Sequence, residues 1–338
     1  MNKDYAERSY LSVVEVASLT GLDVKRLHEL VRSEELPAVK STSGQYRFRL
    51  ADISRFRQQT PISSADNHHT VHCKDTVQEI VTGDARAMSR VDDCSVHLAV
   101  TSPPYFNAKM YSDAEHGDLA NIHDLDEWMA ETSRVWAEVL RVLQPGRKFF
   151  LNIMNLPVRE NGTYRTLNLT GKTIDACEEI GFVFKRDIVW HKTNGVRAHF
   201  GTYPYPGGIL LNNMHEFILE FEKPNEKIRP KYKHVSQAQK ENSKLDKEFW
   251  LSLKNSDVWL IKPEKSGGNR QHAAPFPVEL PARLIRAYSF EGERVLDPFL
   301  GSGTTLLAAA LHGRNGIGYD INADFCELVK RRLAEILL

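Results

Sequence analysis

Apolar and polar positions follow three different rhythms along this chain, and each predicts a different kind of structure. From about residue 8 to 58 the pattern reads helix, turn, helix, hairpin, helix. Ser12-Val13-Val14-Glu15 has the spacing of a capping box, in which a hydroxyl and a carboxylate satisfy free amides at a helix start. Val13, Val14, Val16, Ala17 and Leu19 supply the apolar face that follows. Gly21 suits a left-handed turn, and Asp23 caps a second helix, Val24 to Arg32, whose Leu27, Leu30 and Val31 face inward. Ala38-Val39-Lys40 and Tyr46-Arg47-Phe48-Arg49 flank a polar tip at Ser41–Gln45, which predicts a hairpin, and Leu50–Arg57 closes the unit with a short basic helix.

Periodicity then lapses. From about Gln59 to Lys74 the chain is rich in Ser, Asp and Asn and reads as a linker, so the expected organisation is 1–58, a linker 59–74, and a large domain 75–338. The linker contains His68-His69-Thr70-Val71-His72-Cys73, which invites a zinc hypothesis. The plainer reading is a solvated linker, and no metal is assigned. Beyond it, short β-branched runs alternate with longer amphipathic ones. Val96–Val100 and Lys148–Ile153 read as buried strands, and between them Asp126–Leu143 carries Trp128, Met129, Val135, Trp136, Val139 and Leu140 at helical spacing. Gln144-Pro145-Gly146 ends that helix. Near the C-terminus come a strand at Arg294–Leu296, a helix at Thr305–Leu311, a strand at Gly316–Tyr319 and a helix at Ala323–Leu337. Such alternation predicts an α/β fold, a mostly parallel sheet with helices on both faces.

Composition narrows the classes without choosing among them. A chain of 338 residues, 41% hydrophobic and 26% charged, accommodates one large α/β domain and a small one. With 44 basic and 44 acidic residues the net charge is zero, which argues against indiscriminate coating of nucleic acid but leaves local patches open. No apolar run reaches the roughly 18 residues of a membrane span, and Met1–Arg8 lacks the apolar core of a secretory signal. The four cysteines, Cys73, Cys94, Cys177 and Cys326, form no Cys-x-x-Cys pair, so the expected compartment is the reducing cytoplasm.

Two stretches carry chemistry. Asp297-Pro298-Phe299-Leu300-Gly301-Ser302-Gly303-Thr304-Thr305 follows a strand and opens a helix. Glycines there let backbone approach a ligand, and the helix start offers free amides to a carboxylate. No lysine follows the glycines, which counts against a phosphate-gripping loop. The next strand ends at Asp320, where a carboxylate can accept from both hydroxyls of a ribose. A nucleoside cofactor fits, and the alternative is a tight strand–helix turn without a ligand. The second stretch, Thr101-Ser102-Pro103-Pro104-Tyr105, follows the Val96–Val100 strand. Two prolines lack amide hydrogens and fix φ, so their carbonyls form a stiff array of acceptors that suits an NH₂ donor, beside a tyrosine face for stacking.

Together these stretches resemble the cofactor and catalytic motifs of the amino-methyltransferases that make N4-methylcytosine or N6-methyladenine in DNA. The catalytic loop precedes the cofactor loop, as in the β-type order of that family. Thr82-Gly83-Asp84-Ala85 resembles its acidic turn beside the cofactor adenine, and His272–Pro277 with the helix Val278–Ser289 resembles the segment around the methionine end. Asp187–Lys192 and His215–Phe221 resemble the strand pair that closes the sheet. The resemblance implies a Rossmann-like S-adenosylmethionine-dependent methyltransferase sheet. It implies Ser102, Pro103, Pro104 and Tyr105 as catalytic residues, and Asp84, Ala85, Thr101, Phe276, Asp297, Pro298, Phe299, Gly301, Ser302, Gly303, Thr304 and Asp320 around S-adenosyl-L-methionine. It implies direct attack by an amine of a flipped nucleotide. No cysteine follows a proline, as the cytosine ring-carbon chemistry requires. Serine at the first loop position leans toward cytosine N4, with adenine N6 the alternative.

Duplex DNA is the implied partner. The target-reading region is expected at about 193–269, where Tyr203-Pro204-Tyr205 forms a stiff aromatic loop and Lys223–Lys247 holds eight basic residues, Lys231 and Lys233 among them, against three acids. Residues 1–58 resemble the excisionase and MerR-like winged helix-turn-helix modules, which makes Lys25, Arg26 and Arg32 candidate DNA contacts. The family is bacterial, archaeal or phage-encoded, with a restriction endonuclease as an expected partner and either monomer or homodimer. Two other readings fit the same residues, an RNA base-amine methyltransferase and a DNA-binding regulator without activity.

Overall fold

The structure, a computed structural model, describes residues 10–13, 16, 24–33, 35–40, 46–49, 52, 67–106, 118–160, 162–193, 206–207, 211–225, 232, 235–264 and 276–335. They belong to two compact units, 1–66 and 67–338.

In the first unit, β1 (Tyr10–Ser12) is followed by α1 (Val24–Arg32), β2 (Val39–Lys40) and β3 (Tyr46–Arg49). The α1 boundaries are those the capping and spacing predict. Val16, Leu27, Leu30, Leu36 and Phe48 bury together as its core. The hairpin is not two-stranded as expected. Tyr10, Leu11 and Ser12 pair antiparallel with Arg49, Phe48 and Arg47, giving the order β1-β3-β2. Ser12 thus ends a strand, and Val13 is helical immediately after it.

The second unit begins earlier than the pattern suggests. Within the stretch read as linker, β4 (Asn67–Cys73) pairs along its length with β5 (Thr76–Thr82). Alternation explains why the pattern hides it: His68, Thr70 and His72 are exposed while His69, Val71 and Cys73 turn inward, so an edge strand with a wet face shows little apolar periodicity. The same alternation splits the histidines between two faces.

There follow β6 (Val96–Thr101), α2 (Leu125–Val142), β7 (Leu143–Ile153), β8 (Leu156–Glu160), β9 (Thr163–Leu167), α3 (Leu169–Ile180), β10 (Val183–Lys192) and β11 (His215–Glu222). The chain closes with α4 (Gln237–Asn242), α5 (Lys247–Asn255), β12 (Val258–Ile261), α6 (Glu279–Tyr288), β13 (Arg294–Asp297), α7 (Thr304–Leu311), β14 (Asn315–Asp320) and α8 (Ala323–Glu335). Among the described residues nine strands form one sheet, ordered β12-β10-β11-β7-β6-β13-β14-β5-β4, with β11 and β4 antiparallel to the rest. The region 193–269 includes β11 and β12 of this sheet. Gln144–Gly146 does not separate α2 from β7 as a loop. Leu143 already pairs with Val96, and the register shifts before Leu98 meets Lys148, leaving Gly146 at φ +78° with its amide on the Lys223 carbonyl, 2.8 Å away.

Period-two alternation along the central strands feeds two cores. Ala99, Phe149 and Leu151 pack on one face with α2 and α3, while Leu98, Val100 and Phe150 pack on the other with α6 and α7. Trp136 of α2 is fully buried, with its ring 5.4 Å from Phe149 and 5.8 Å, edge-on, from Phe299. No described helix is long and apolar enough to cross a membrane. Trp136→Ala should lower the unfolding free energy by about 3–5 kcal/mol, because that layer cannot collapse around an indole-sized void. Urea denaturation of the variant checks this.

Candidate active site

Because β5, β6, β13 and β14 are parallel, their carboxyl ends meet at one end of the sheet, where crevices of open α/β folds form. A pocket of about 970 Å³, counted with its open mouth, lies there. Asp84 and Ala85 reach it from the turn after β5, and Ser102, Pro103, Pro104 and Tyr105 from the loop after β6. Asp297, Pro298, Phe299, Gly301, Ser302 and Thr304 come from β13 and the start of α7, Asp320 from β14, and Phe276 from before α6. The two motifs are thus brought onto one cavity.

Thr101 and Gly303 stand behind that wall. The Thr101 hydroxyl donates to Asp297 Oδ1 at 2.6 Å, and the Phe299 amide donates to the same oxygen at 3.1 Å. Gly303 caps α7 at φ +78°, where a Cβ would lie 2.6 Å from both methyls of Val329. Only glycine fits there without displacing α8. Asp320 organises the glycine loop with its carboxylate: Oδ2 accepts from the Gly301 amide at 2.7 Å and Oδ1 from the Asn322 amide at 2.9 Å. Asp84 is held by its neighbour, since the Arg86 guanidinium grips both carboxylate oxygens and also pairs with Glu131 of α2.

The Ser102–Tyr105 loop is anchored from the opposite side. Tyr105 donates its hydroxyl to Glu216 of β11 at 2.8 Å, and Asn152 of β7 donates to the same Glu216 oxygen at 2.5 Å. Lys192 of β10 pairs with the other oxygen. Glu216 and Asn152 are both buried. Neither was singled out from the sequence, although a glutamate inside an apolar strand run is a signal of a paired interior charge. Asp118, Leu119, Leu300, Ile321, Asn322 and Phe325 also line the pocket and were not anticipated.

Carboxylates Asp84, Asp118, Asp297 and Asp320 line the pocket, with no lysine or arginine among its described lining residues. Such a wall suits a nucleoside ligand that carries positive charge and disfavours phosphate. Among the described residues no group of three or more His, Cys, Asp or Glu side chains gathers to hold a metal. Of the DNA candidates, Arg32 is exposed at the last turn of α1. The side chains of Lys25 and Arg26, and the whole of Tyr203, Tyr205, Lys231 and Lys233, lie outside the described residues.

Burial pushes the Asp297 carboxyl up to about 7, against the pull of the Thr101 hydrogen bond. A folded-state value above the unfolded one means the native protein holds the extra proton. The contribution to stability is then full below about pH 4 and is lost as pH rises through about 7. Between about pH 5 and about pH 8 the wild type should lose roughly 3 kcal/mol of stability relative to Asp297→Asn. Paired denaturation curves at the two pH values test this, and parallel behaviour of the two proteins would contradict it.

Comparison with known proteins agrees with this geometry. Residues 96–331 match the N6 and N4 methyltransferase family described as DNA methylase, and residues 10–61 match a helix-turn-helix domain. The Type II methyltransferase M.MjaI of Methanocaldococcus jannaschii is 33% identical, over 76% of this chain and 91% of that protein. M.MthZI of Methanothermobacter thermautotrophicus is also 33% identical, over 78% of each. TTHA0409 of Thermus thermophilus, solved in complex with S-adenosyl-L-methionine, is 34% identical with a TM-score of 0.60, over 76% of this chain and 93% of that one. The cytosine-N4-specific PvuII DNA methyltransferase shares the fold, with a TM-score of 0.55 at 19% identity over 77% of this chain and 91% of that one. The chain therefore belongs to the N6/N4 family of DNA methyltransferases, with a helix-turn-helix domain at its N-terminus.

Proposed function

We propose that this methyltransferase transfers a methyl group from S-adenosyl-L-methionine to the N4 amine of a cytosine flipped out of duplex DNA. The observation that carries the reading is the convergence of Ser102–Tyr105 with Gly301, Ser302 and Asp320 on one carboxylate-lined pocket. The pocket's chemistry fits the cofactor, whose ribose hydroxyls match Asp320 and whose positive charge matches the acidic wall. When bound, S-adenosyl-L-methionine supplies a methyl group activated by its sulfonium.

The chain's own residues act on the amine. The Ser102 hydroxyl and the Pro103 carbonyl accept its hydrogens, which turns the nitrogen lone pair out of ring conjugation. Proline carbonyls do this at little reorganisation cost because φ is fixed and no amide competes. Tyr105 offers its face to the flipped base, and its hydroxyl bond to Glu216 sets the angle of that face. The transfer needs no covalent intermediate with the protein, so positioning and electrostatics supply the rate. Ser102 brings no charge to the amine, and this supports cytosine over adenine by the family's own preference.

Labelled methyl transfer to duplex DNA, followed by digestion to nucleosides, should yield N4-methylcytosine. Recovery of N6-methyladenine alone would overturn the base assignment, and Ser102→Ala should retain cofactor binding while losing at least about 100-fold in rate. Tyr105→Phe keeps the stacking ring but removes a buried bond to a charged group, a loss of about 1.5–3 kcal/mol that should appear as roughly a 10- to 150-fold fall in kcat. Glu216→Gln acts on the same bond, so the double variant should be no slower than the worse single one.

A further inference from the structure

Directly after β7 the chain leaves the sheet as the two-stranded ribbon β8–β9, which neither the motifs nor the proposed chemistry uses. Its place is set by topology. β7 runs parallel to β6 with Leu151 opposite Thr101, so the ribbon emerges at the same end of the sheet as the Ser102–Tyr105 loop. Its base is fixed: Leu156 pairs with Leu167, Leu167 is buried, and Leu156 and Val158 pack on the core. Beyond the base it is wet. Pro157, Arg159, Thr163, Tyr164, Arg165 and Thr166 are all exposed, Tyr164 by 55%. A Cβ built on Gly162, at φ +79°, would meet nothing within 4 Å.

A two-stranded ribbon without a third strand gains little stability for itself, so its exposed side chains need another reason. Those side chains are organised. Arg159 lies directly across from Tyr164, with its guanidinium 5.4 Å from the ring centroid, which limits its rotamers before any ligand arrives. Arg165 lies across from Val158, on the opposite face of the ribbon from Arg159. The ribbon segment 156–167 carries these two arginines against the single acid Glu160. A ribbon of this width enters a DNA groove, and guanidinium groups bind phosphate in bidentate fashion.

We infer that the β8–β9 ribbon is a duplex-DNA arm of the enzyme, with Arg159 and Arg165 on backbone phosphates beside the flipped nucleotide and Tyr164 holding Arg159 in place. The inference rests on duplex DNA being the substrate. It moves part of the DNA contact out of the 193–269 region, where the sequence pattern had put it.

The test uses the full chain, a fluorescent duplex and a salt series. Losing both arginines in Arg159→Ala/Arg165→Ala should weaken binding about tenfold or more near 0.1 M salt. The slope of log affinity against log salt should become shallower by about 2, the signature of two lost phosphate contacts. Tyr164→Ala should weaken binding less and leave the slope unchanged. KM for DNA should rise in the double variant, while kcat at saturating DNA, S-adenosyl-L-methionine affinity and thermal stability stay as in wild type. Unchanged affinity and slope in a variant whose wild type methylates duplex DNA would overturn the ribbon's role and leave the activity standing. A change in sedimentation with unchanged DNA affinity would also overturn it, marking the ribbon as a face for a second copy. Wild type that binds and methylates no duplex would instead remove the reading beneath the inference.

Discussion

The hydrogen bond from Thr101 to the buried Asp297 carboxyl joins the two halves of the site across 196 positions of sequence. Thr101 ends the strand that launches Ser102–Tyr105, and Asp297 ends the strand that launches the glycine loop. A shift of either strand along the other would separate the groups proposed to bind the two substrates. Burial makes this link costly as well as strong. Burial strips water from an ionised carboxylate there, and this outweighs the hydrogen bonds from Thr101 and the Phe299 amide, so its proton is held up to about 7. The fold thus accepts a stability cost at neutral pH for a carboxyl group at the head of the glycine loop, a conflict typical of functional positions.

A second layer of constraint runs through β11. Glu216 and Glu220 are four residues apart in a strand and so share a face, and both are buried. Each is paired with lysine from a neighbouring strand: Lys192 with Glu216, Lys148 with Glu220. Removing a single partner from such a pair leaves an uncompensated interior charge. At Glu216 the arrangement also reaches Tyr105, so the loop proposed to meet the base is fixed to β7, β10 and β11 rather than left to its own two prolines. Sites supported by rigid strands hold geometry better than sites on free loops.

How much of this was legible follows from where the information lies. The α1 boundaries, the cofactor loop and the Ser-Pro-Pro-Tyr loop are local patterns, and a local pattern can be read from one chain. Fourteen of the sixteen catalytic and cofactor positions expected from sequence line one pocket, and the other two, Thr101 and Gly303, support it from behind. The β4 strand was hidden because an edge strand with three outward polar residues resembles a linker. The strand at Tyr10–Ser12 was hidden because its partner lies about forty residues away, at Arg47–Arg49. Asn152, Asp118 and Phe325 reach the site through pairing and packing between distant segments, for which the sequence carries no local mark; Glu216 is marked as a glutamate inside an apolar strand, but its partner Tyr105 lies 111 positions away.

Charge separates the two ligands at the working end of the sheet. Asp118 and Asp320 line the pocket with Asp84, which Arg86 pairs, and Asp297, whose carboxyl burial holds protonated up to about 7. With no lysine or arginine among the described lining residues, the space proposed for the cofactor offers a DNA phosphate no partner. Phosphates must then be gripped by basic groups outside the pocket, and β7 delivers the β8–β9 ribbon to that end of the sheet.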